Sequence, residues 1–269
     1  MIPAETAKPL LSLFDSLTAL IIKLVEVIMY MAPLGVFALL AHTITSIASD
    51  NVSQILELLG ALGYYCIAVL LGLFIHTVFF YPLLLRFFAR MPLRSFFPGM
   101  APAQLVAFST SSSGATLPVT IECVEKNLGV SEEVSSFVLP LGATINMDGT
   151  ALYQAVAAVF IAQTLGIGLD IFAQLTIVLT ALLASIGTAG VPGAGIIMLV
   201  IILESVGIPS AGIALILGVD RILDMCRTVT NITGDATVSV IVAASEGEFT
   251  GPPTPAESPE PVLLGQREV

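Results

Sequence analysis

Asp220, Asp224, Arg227, Asn231 and Asp235 recur at spacings of four, three, four and four. At about 100° per residue they fall within an arc of roughly 80° on one helix face. Thr228 lies at the edge of that face, and the flanking residues 211–219 and 238–243 are largely apolar. A charge at the centre of a membrane helix costs about 2.5–3.5 kcal/mol. Asp220, Asp224, Arg227 and Asp235 therefore need a common polar lining or mutual pairing. The guanidinium fork of Arg227 matches a planar carboxylate in two hydrogen bonds. Asp224, one turn away, can hold an ammonium, so the pair suits a zwitterion with an extra acid group. Asp148, Asp235, Asn146 and carbonyls freed at helix breaks are hard oxygen ligands, which suit sodium better than a transition metal. A plainer reading makes the same charges an intrahelical salt-bridge set, Asp224–Arg227 and Asp220–Arg221, at a membrane edge. It accounts for the charges but not for the broken segments that accompany them.

Those segments lie in long apolar runs. Residues 171–203 hold no Asp, Glu, Lys or Arg; as one helix they would measure about 50 Å against a hydrocarbon core of about 30 Å. The middle, 187–195, reads Gly-Thr-Ala-Gly-Val-Pro-Gly-Ala-Gly, which cannot stay helical cheaply. A hairpin of two half-helices with a non-helical tip is the simplest solution. Residues 96–121 repeat the design, with Ser-Ser-Ser-Gly-Ala-Thr-Leu-Pro at 111–118. Free backbone at membrane depth survives only where protein buries it or where it lines a cavity. A polar stretch follows each hairpin: Asn-Met-Asp-Gly-Thr at 146–150, then 220–235. Taken singly, the first is an ordinary turn and 111–114 a flexible linker. Repeated hairpin-plus-helix units suggest an inverted repeat, the pattern that marks transporter binding sites.

The bulk composition agrees. The chain is 56% hydrophobic and 11% charged with mean hydropathy +1.00, whereas soluble domains carry about 25% charged residues. Residues 58–85 and 149–169 are further runs without charge, long enough to span a bilayer. The alternative, buried helices of a large soluble core, fits poorly with several such runs in succession. The span at 18–41 has Lys23 and Glu26 near its start, placed to pair. Arg86, Arg90 and Arg94 cluster in one short loop, which the positive-inside rule puts in the cytoplasm; the polar loop at 50–57 then lies outside. His76 reads as a packing or hydrogen-bonded residue rather than a ligand. Cys66, Cys123 and Cys226 are odd in number and scattered, which argues against a disulfide framework or a zinc site. No basic stripe suggests nucleic acid, and the net charge of -11 indicates no partner. No signal peptide is recognisable, and the first membrane segment can serve for insertion.

The strings at 111–118, 146–154, 187–195 and 220–235 resemble the sodium/dicarboxylate symporter family, which includes the excitatory amino-acid transporters. The resemblance runs from about 17 to 244. The family is itself among the cases behind the rule on paired broken helices. It implies an all-α membrane protein with eight spanning helices, two re-entrant hairpins in an inverted repeat, an elevator-type transport domain and a trimeric scaffold. Substrate would be enclosed by Ser112, Ser113 and the tip at 191–195, which includes Val191 and Gly195. Asp224 would bind its amino group beside Thr228; Arg227 and Thr150 the side-chain carboxylate; Asn231 the α-carboxylate. One sodium would be held by Asp235 with carbonyls of Gly142, Asn146 and Asn231. A second would use carbonyls of Thr144, Ser185, Ile186 and Thr188, and Asp148 and Asn146 would contribute to a third. Met147 belongs to the same ion-binding stretch. The second hairpin would be the extracellular gate.

The resemblance further implies an acidic rather than neutral substrate from Arg227, an amino acid rather than a C4-dicarboxylate from Asp224, and sodium rather than proton coupling from Asp235. Gln154 stands where potassium-coupled relatives carry Glu, which implies no potassium counter-transport. Ser111 and Met225 stand where many relatives carry an additional arginine. The chain would start near the fifth family helix, without the first four, so a truncated, non-transporting remnant or half of a split carrier is an alternative. The expected organisation is an N-terminal stub and scaffold-type helix at 1–53 and a transport-domain core at 54–244. The core would comprise a spanning helix 54–88, hairpin 95–122, helix 130–166, hairpin 170–206 and helix 210–244, before a disordered acidic, Pro-rich tail at 245–269. The protein would be multi-pass in the cell (inner) membrane with its C-terminal tail cytoplasmic. Its partners would be an acidic amino acid, sodium as the coupling ion, lipid and two further copies; no cofactor and no nucleic acid are implied. A membrane hydrolase using Asp148 with an Asp of the last helix, or Ser112 as nucleophile, competes poorly. The histidines, His42 and His76, lie upstream, and neither HExxH nor GxSxG occurs.

Overall fold

A computed structural model describes residues 52–252, with side chains from residue 56 onward, and isolated helical positions between 8 and 41. Most of the span expected at 18–41, the pairing residue Glu26 and the tail beyond 252 lie outside the described residues. The chain divides into two compact units, Met1–Ile55 and Leu56–Val269. The second holds the elements that position the polar residues.

Helix α1 spans Val52–Ile75. It starts inside the stretch expected to be a polar loop, because no Gly or Pro interrupts 52–59 and Ser53, Gln54 and Glu57 can ride on its first turns. The rod continues through a π-helical turn at His76–Phe80, an α turn at Tyr81–Leu84 and a second π turn at Leu85–Ala89. Pro82 sits between the two wide turns. It has no N–H to give, and its ring crowds the carbonyl four residues back, which local widening accommodates.

Two helix pairs follow the same plan. Helix α2 (Leu93–Thr110) and α3 (Ser113–Glu122) are joined by Ser111 and Ser112, and α6 (Ile171–Ile186) and α7 (Ala194–Ser205) by 187–193. Between the pairs lie α4 (Glu132–Ile145) and α5 (Asp148–Thr164). The segment expected as one helix, 130–166, is thus interrupted at Asn146 and Met147. After a 3₁₀ turn at Ser210–Leu215, α8 runs Leu217–Glu246 and ends on Gly247 at φ 79°. The caps are legible locally: Ser112 Oγ accepts from Ala115 N, Ser131 Oγ from Val134 N, and Asp170 Oδ1 from Ala173 N. Among the described residues no strand occurs beyond one bridge, Val130 to Phe249.

Helix α8 is the axis. Its second half, with Ile232, Ala236 and Val240, packs on α2, the π-helical turn Cys123–Asn127 that follows α3, and α4 through Phe96, Met100, Ala107, Val124 and Leu139. Its start, with Leu223, meets a second cluster of α1, α5, α6 and α7, including Val69, Tyr153, Ile161, Ile177 and Ile202. The outer faces are apolar too: Phe74, Phe79, Phe172, Leu175, Leu179 and Leu183 are all exposed. In water so large an apolar surface would be anomalous. Two helical stretches, Leu56–Ala89 and Glu132–Thr164, are long and apolar enough to cross a bilayer. The first is mostly unburied within the fold, as a lipid-facing rod would be.

Candidate functional site

The charged stripe of α8 faces inward. Asp220, Asp224, Arg227, Thr228, Asn231 and Asp235 are all buried, Arg227 to 2% exposure. Arg227 Nε donates to Asp224 Oδ1 at 2.9 Å and Nη1 to Asp220 Oδ1 at 3.0 Å. Its guanidinium lies 4.1 Å from the centroid of the Tyr153 ring, a cation–π distance. Nη2 is buried and has no partner among the described residues. Of the two intrahelical pairs in the plainer reading, Asp224–Arg227 forms and Asp220–Arg221 does not. Arg227 takes both carboxylates, and the Arg221 Nη1 has no partner among the described residues.

The second helix pair reaches this ion pair, and the first lines the same cleft. Gly193 N donates to Asp224 Oδ2 at 2.9 Å, and Gly195 is buried against Arg227 and Thr150. The breaks also meet each other: Gly190 O accepts from Ser112 Oγ at 2.5 Å and from Gly114 N at 3.1 Å. Asn231 joins the third element, donating to Thr150 Oγ1 at 3.1 Å and accepting from Gly149 N at 2.9 Å. A narrow cleft remains between them, with room as it stands for one water molecule, about 10 Å³.

Of the residues expected around a substrate, Ser113, Thr150, Val191, Gly195, Asp224, Arg227, Thr228 and Asn231 line the cleft. Ser112 does not; its hydroxyl caps α3 and ties the two breaks together. Ser111, Ala189 and Gly190 line the cleft without having been expected there.

The residues expected around sodium divide into three places. Asp235 is 3% exposed, and Asn146 Nδ2 donates to its Oδ1 at 2.8 Å. No cationic side chain pairs with it among the described residues. A Cβ on Gly142 would fall 2.6 Å from Asp235 Oδ1, so glycine lets the α4 backbone approach the carboxylate. A buried carboxylate without a cation is costly, and a hard monovalent cation among these oxygens fits it. Asp148 lies apart: its Oδ2 accepts from Tyr81 OH and meets His76 Nε2 at 3.0 Å. His76 is thus hydrogen-bonded. At the second break, Ser185 Oγ and Thr188 Oγ1 donate to Leu182 O and Ala184 O, and Ser185 O accepts from Thr188 N at 3.1 Å, so carbonyl lone pairs rather than hydroxyls are what an ion could use here. Thr188 and Met147 line the cleft, whereas Thr144 and Ile186 are exposed.

Three neighbours were not legible as parts of the site, and a fourth, Gln154, was legible only as a position bearing on ion coupling. Tyr153 lies under Arg227, Gln154 Nε2 donates to Gly195 O at 2.9 Å, and His76 and Tyr81 hold Asp148. These contacts join residues tens of positions apart, which helical spacing cannot reveal. Asp220 was within reach of the spacing, since it lies two turns before Arg227 on the same face.

The profile of the family described as sodium:dicarboxylate symporters matches residues 1–245. Excitatory amino acid transporter 1 of Bos taurus is 47% identical over 238 residues, covering 88% of this chain and 43% of the relative. The Homo sapiens protein of the same name is 46% identical over the same length and shares. Excitatory amino acid transporter 2 of Mus musculus is 46% identical over 232 residues, covering 86% and 40%. The chain spans about two-fifths of the length of these curated relatives.

Proposed function

This chain belongs to the sodium:dicarboxylate symporter family, and we propose that it serves sodium-coupled symport of an acidic amino acid across a membrane. The observation that carries the reading is Arg227: a fully buried guanidinium with one nitrogen that has no partner among the described residues, beside a small cleft that Asp224, Thr150 and Asn231 also line. A solute carboxylate on Nη2 would complete the fork. Its ammonium would take Asp224, and its second carboxylate would meet Asn231. Sodium is a co-substrate here: Asp235 with the backbone around Gly142 and Asn146 would hold one ion, the carbonyls near Ser185 and Thr188 a second, and Asp148 a third. The two helix pairs act as re-entrant hairpins of an inverted repeat, and the second is the gate. The full family architecture, a homotrimer with an elevator-type transport domain, and a cell-membrane location with a cytoplasmic C-terminus belong to the same proposal.

The test is calorimetric binding of aspartate to the purified chain, in sodium and with sodium replaced by choline. Sodium-dependent binding is expected. Arg227→Cys should shift preference toward neutral amino acids, losing about tenfold or more in aspartate affinity for a charge-assisted bond of about 1.5–3 kcal/mol; unchanged aspartate affinity would remove Arg227 from the carboxylate site. Asp235→Asn should weaken the sodium response, and an identical response would remove that residue from the ion site. Absence of binding in either salt would favour the second reading, a chain that needs further helices to function.

A further inference from the structure

Residues 58–121 contain no Asp or Glu, yet Arg86, Arg90 and Arg94 stand within nine of them. All three are exposed, and none forms an ion pair among the described residues. The backbone beneath them is fixed. Arg90 closes the α1 rod in a left-handed conformation, φ 52°, and Met91 N donates to Leu85 O at 3.3 Å. Leu85, Met91 and Phe96 are fully buried in the core cluster around α2, and Ala89 nearly so. The chain therefore alternates between buried anchors and outward residues. Arg86 and Arg90 are one helical turn apart, about 6 Å, and Arg94 opens the next helix after a connection of only three residues. Phe87 and Phe88 stand exposed between the arginines, at 72% and 68%.

Membrane insertion by charge explains a positive loop, but lysines on a slack chain would serve it equally. Here every charge is a guanidinium, whose planar fork takes two phosphate oxygens at once. The backbone that presents them is anchored in the core by Leu85, Met91 and Phe96, and the adjoining aromatic rings suit the boundary between headgroups and acyl chains. We propose that Arg86, Arg90 and Arg94, with Phe87 and Phe88, form a binding site for the headgroup of an anionic phospholipid. Charge complementarity selects the phosphate, and the unburied phenylalanines select a lipid over a free anion. The site lies on the connection between α1 and α2, apart from the cleft at Arg227. It rests on the membrane placement of the chain but not on the identity of the transported solute.

Native mass spectrometry of the full chain, released from micelles doped with phosphatidylglycerol or with phosphatidylcholine of the same acyl chains, tests it. Phosphatidylglycerol should be retained about tenfold over phosphatidylcholine, since each basic residue near an anionic surface adds measurably to attraction. The triple variant Arg86→Gln, Arg90→Gln, Arg94→Gln should lose that preference, and Lys126→Gln, outside the cluster, should keep it. Should the triple variant fail to fold by circular dichroism, Arg90→Gln alone must lower the preference. Equal retention of the two lipids by the unaltered chain overturns the proposal, as does a preference that survives the triple variant. Displacement of the lipid by an equal concentration of inorganic phosphate would make this a free-anion site and overturn the lipid assignment. Sodium-dependent aspartate binding, measured on the same preparation, is a separate readout and should not move in the triple variant.

Discussion

The two helix breaks that line the cleft at Arg227 are held by different means. The first is two residues long, with Ser111 left-handed at φ 53° and Ser112 capping α3. Its helices sink into the core on α8, where Phe96, Met100, Ala103 and Ala107 are fully buried. The second is seven residues long and rich in glycine. Its helices bury one edge, with Ile177, Ala181 and Leu199, and expose the other. Its position depends on polar contacts made at a distance: Gly193 N to Asp224, Gln154 to Gly195 O, and Ser112 and Gly114 to Gly190 O. Apolar burial of a side chain contributes about 1.5–3 kcal/mol and does not depend on a solute. A hydrogen bond to Asp224 is a contact that a bound ammonium can replace. The first break is therefore built into the core, and the second is tied to groups that line the cleft. That asymmetry supports the gating role proposed for the second hairpin.

The sharpest way to break this comparison is Asp224→Ala. It leaves Gly193 N without its acceptor and Arg227 with Asp220 alone. Removing one partner of a buried ion pair costs about 3–5 kcal/mol, to be read from chemical denaturation in detergent. Hydrogen exchange should rise at 188–193 and stay unchanged at 110–116. An equal rise at both breaks would mean that they are not held differently.

That contrast is only half legible in sequence. Four glycines and Pro192 within 187–195 announce backbone that cannot remain helical, and the structure puts non-helical backbone at 187–193. The stripe from Asp220 to Asp235 is legible because charges in an apolar run must share one face. Which groups tie the second break down is not legible, because Gln154 and Gly195 are 41 residues apart and meet only through folding. The π turns at His76–Phe80 and Leu85–Ala89 have no periodic signature of their own; Pro82 hints at a disturbance but not at its direction. His76 could be read as hydrogen-bonded, but not as the neighbour of Asp148. The charge pairing of Arg227 was half visible: Asp224 at three residues is the familiar spacing, whereas Asp220 at seven needs the long side chain to run back along the helix.

A milder probe acts where the breaks touch. Ser112→Ala removes the cap on Ala115 N and one of the two donors to Gly190 O, leaving Gly114 N in place. Loss of a serine cap costs about 0.5–2 kcal/mol. The denaturation midpoint should fall by less than in Asp224→Ala. Exchange should increase at 189–191, where the second break loses a tether, while the deep part of α2 stays protected. A loss larger than that of Asp224→Ala would reverse the order of the two anchors.

The smallest effects sharpen the comparison most, because they set the same backbone conformation against opposite residue types. Ser111 adopts φ 53° with a side chain, and Gly193 adopts φ 77° without one. A left-handed residue with a Cβ is strained by about 1–2 kcal/mol. Ser111→Gly relieves that strain and also removes a buried hydroxyl that has no partner among the described residues, against an unfolded-state entropy cost of about 0.5–1 kcal/mol. The net expectation is a stabilisation of about 1 kcal/mol or less. Gly193→Ala adds a Cβ that meets nothing within 4 Å, so its cost is the backbone strain alone, about 1–2 kcal/mol. The two substitutions should therefore move the denaturation midpoint in opposite directions. A shift of the same sign in both would show that something other than the left-handed turn fixes where each break begins or ends.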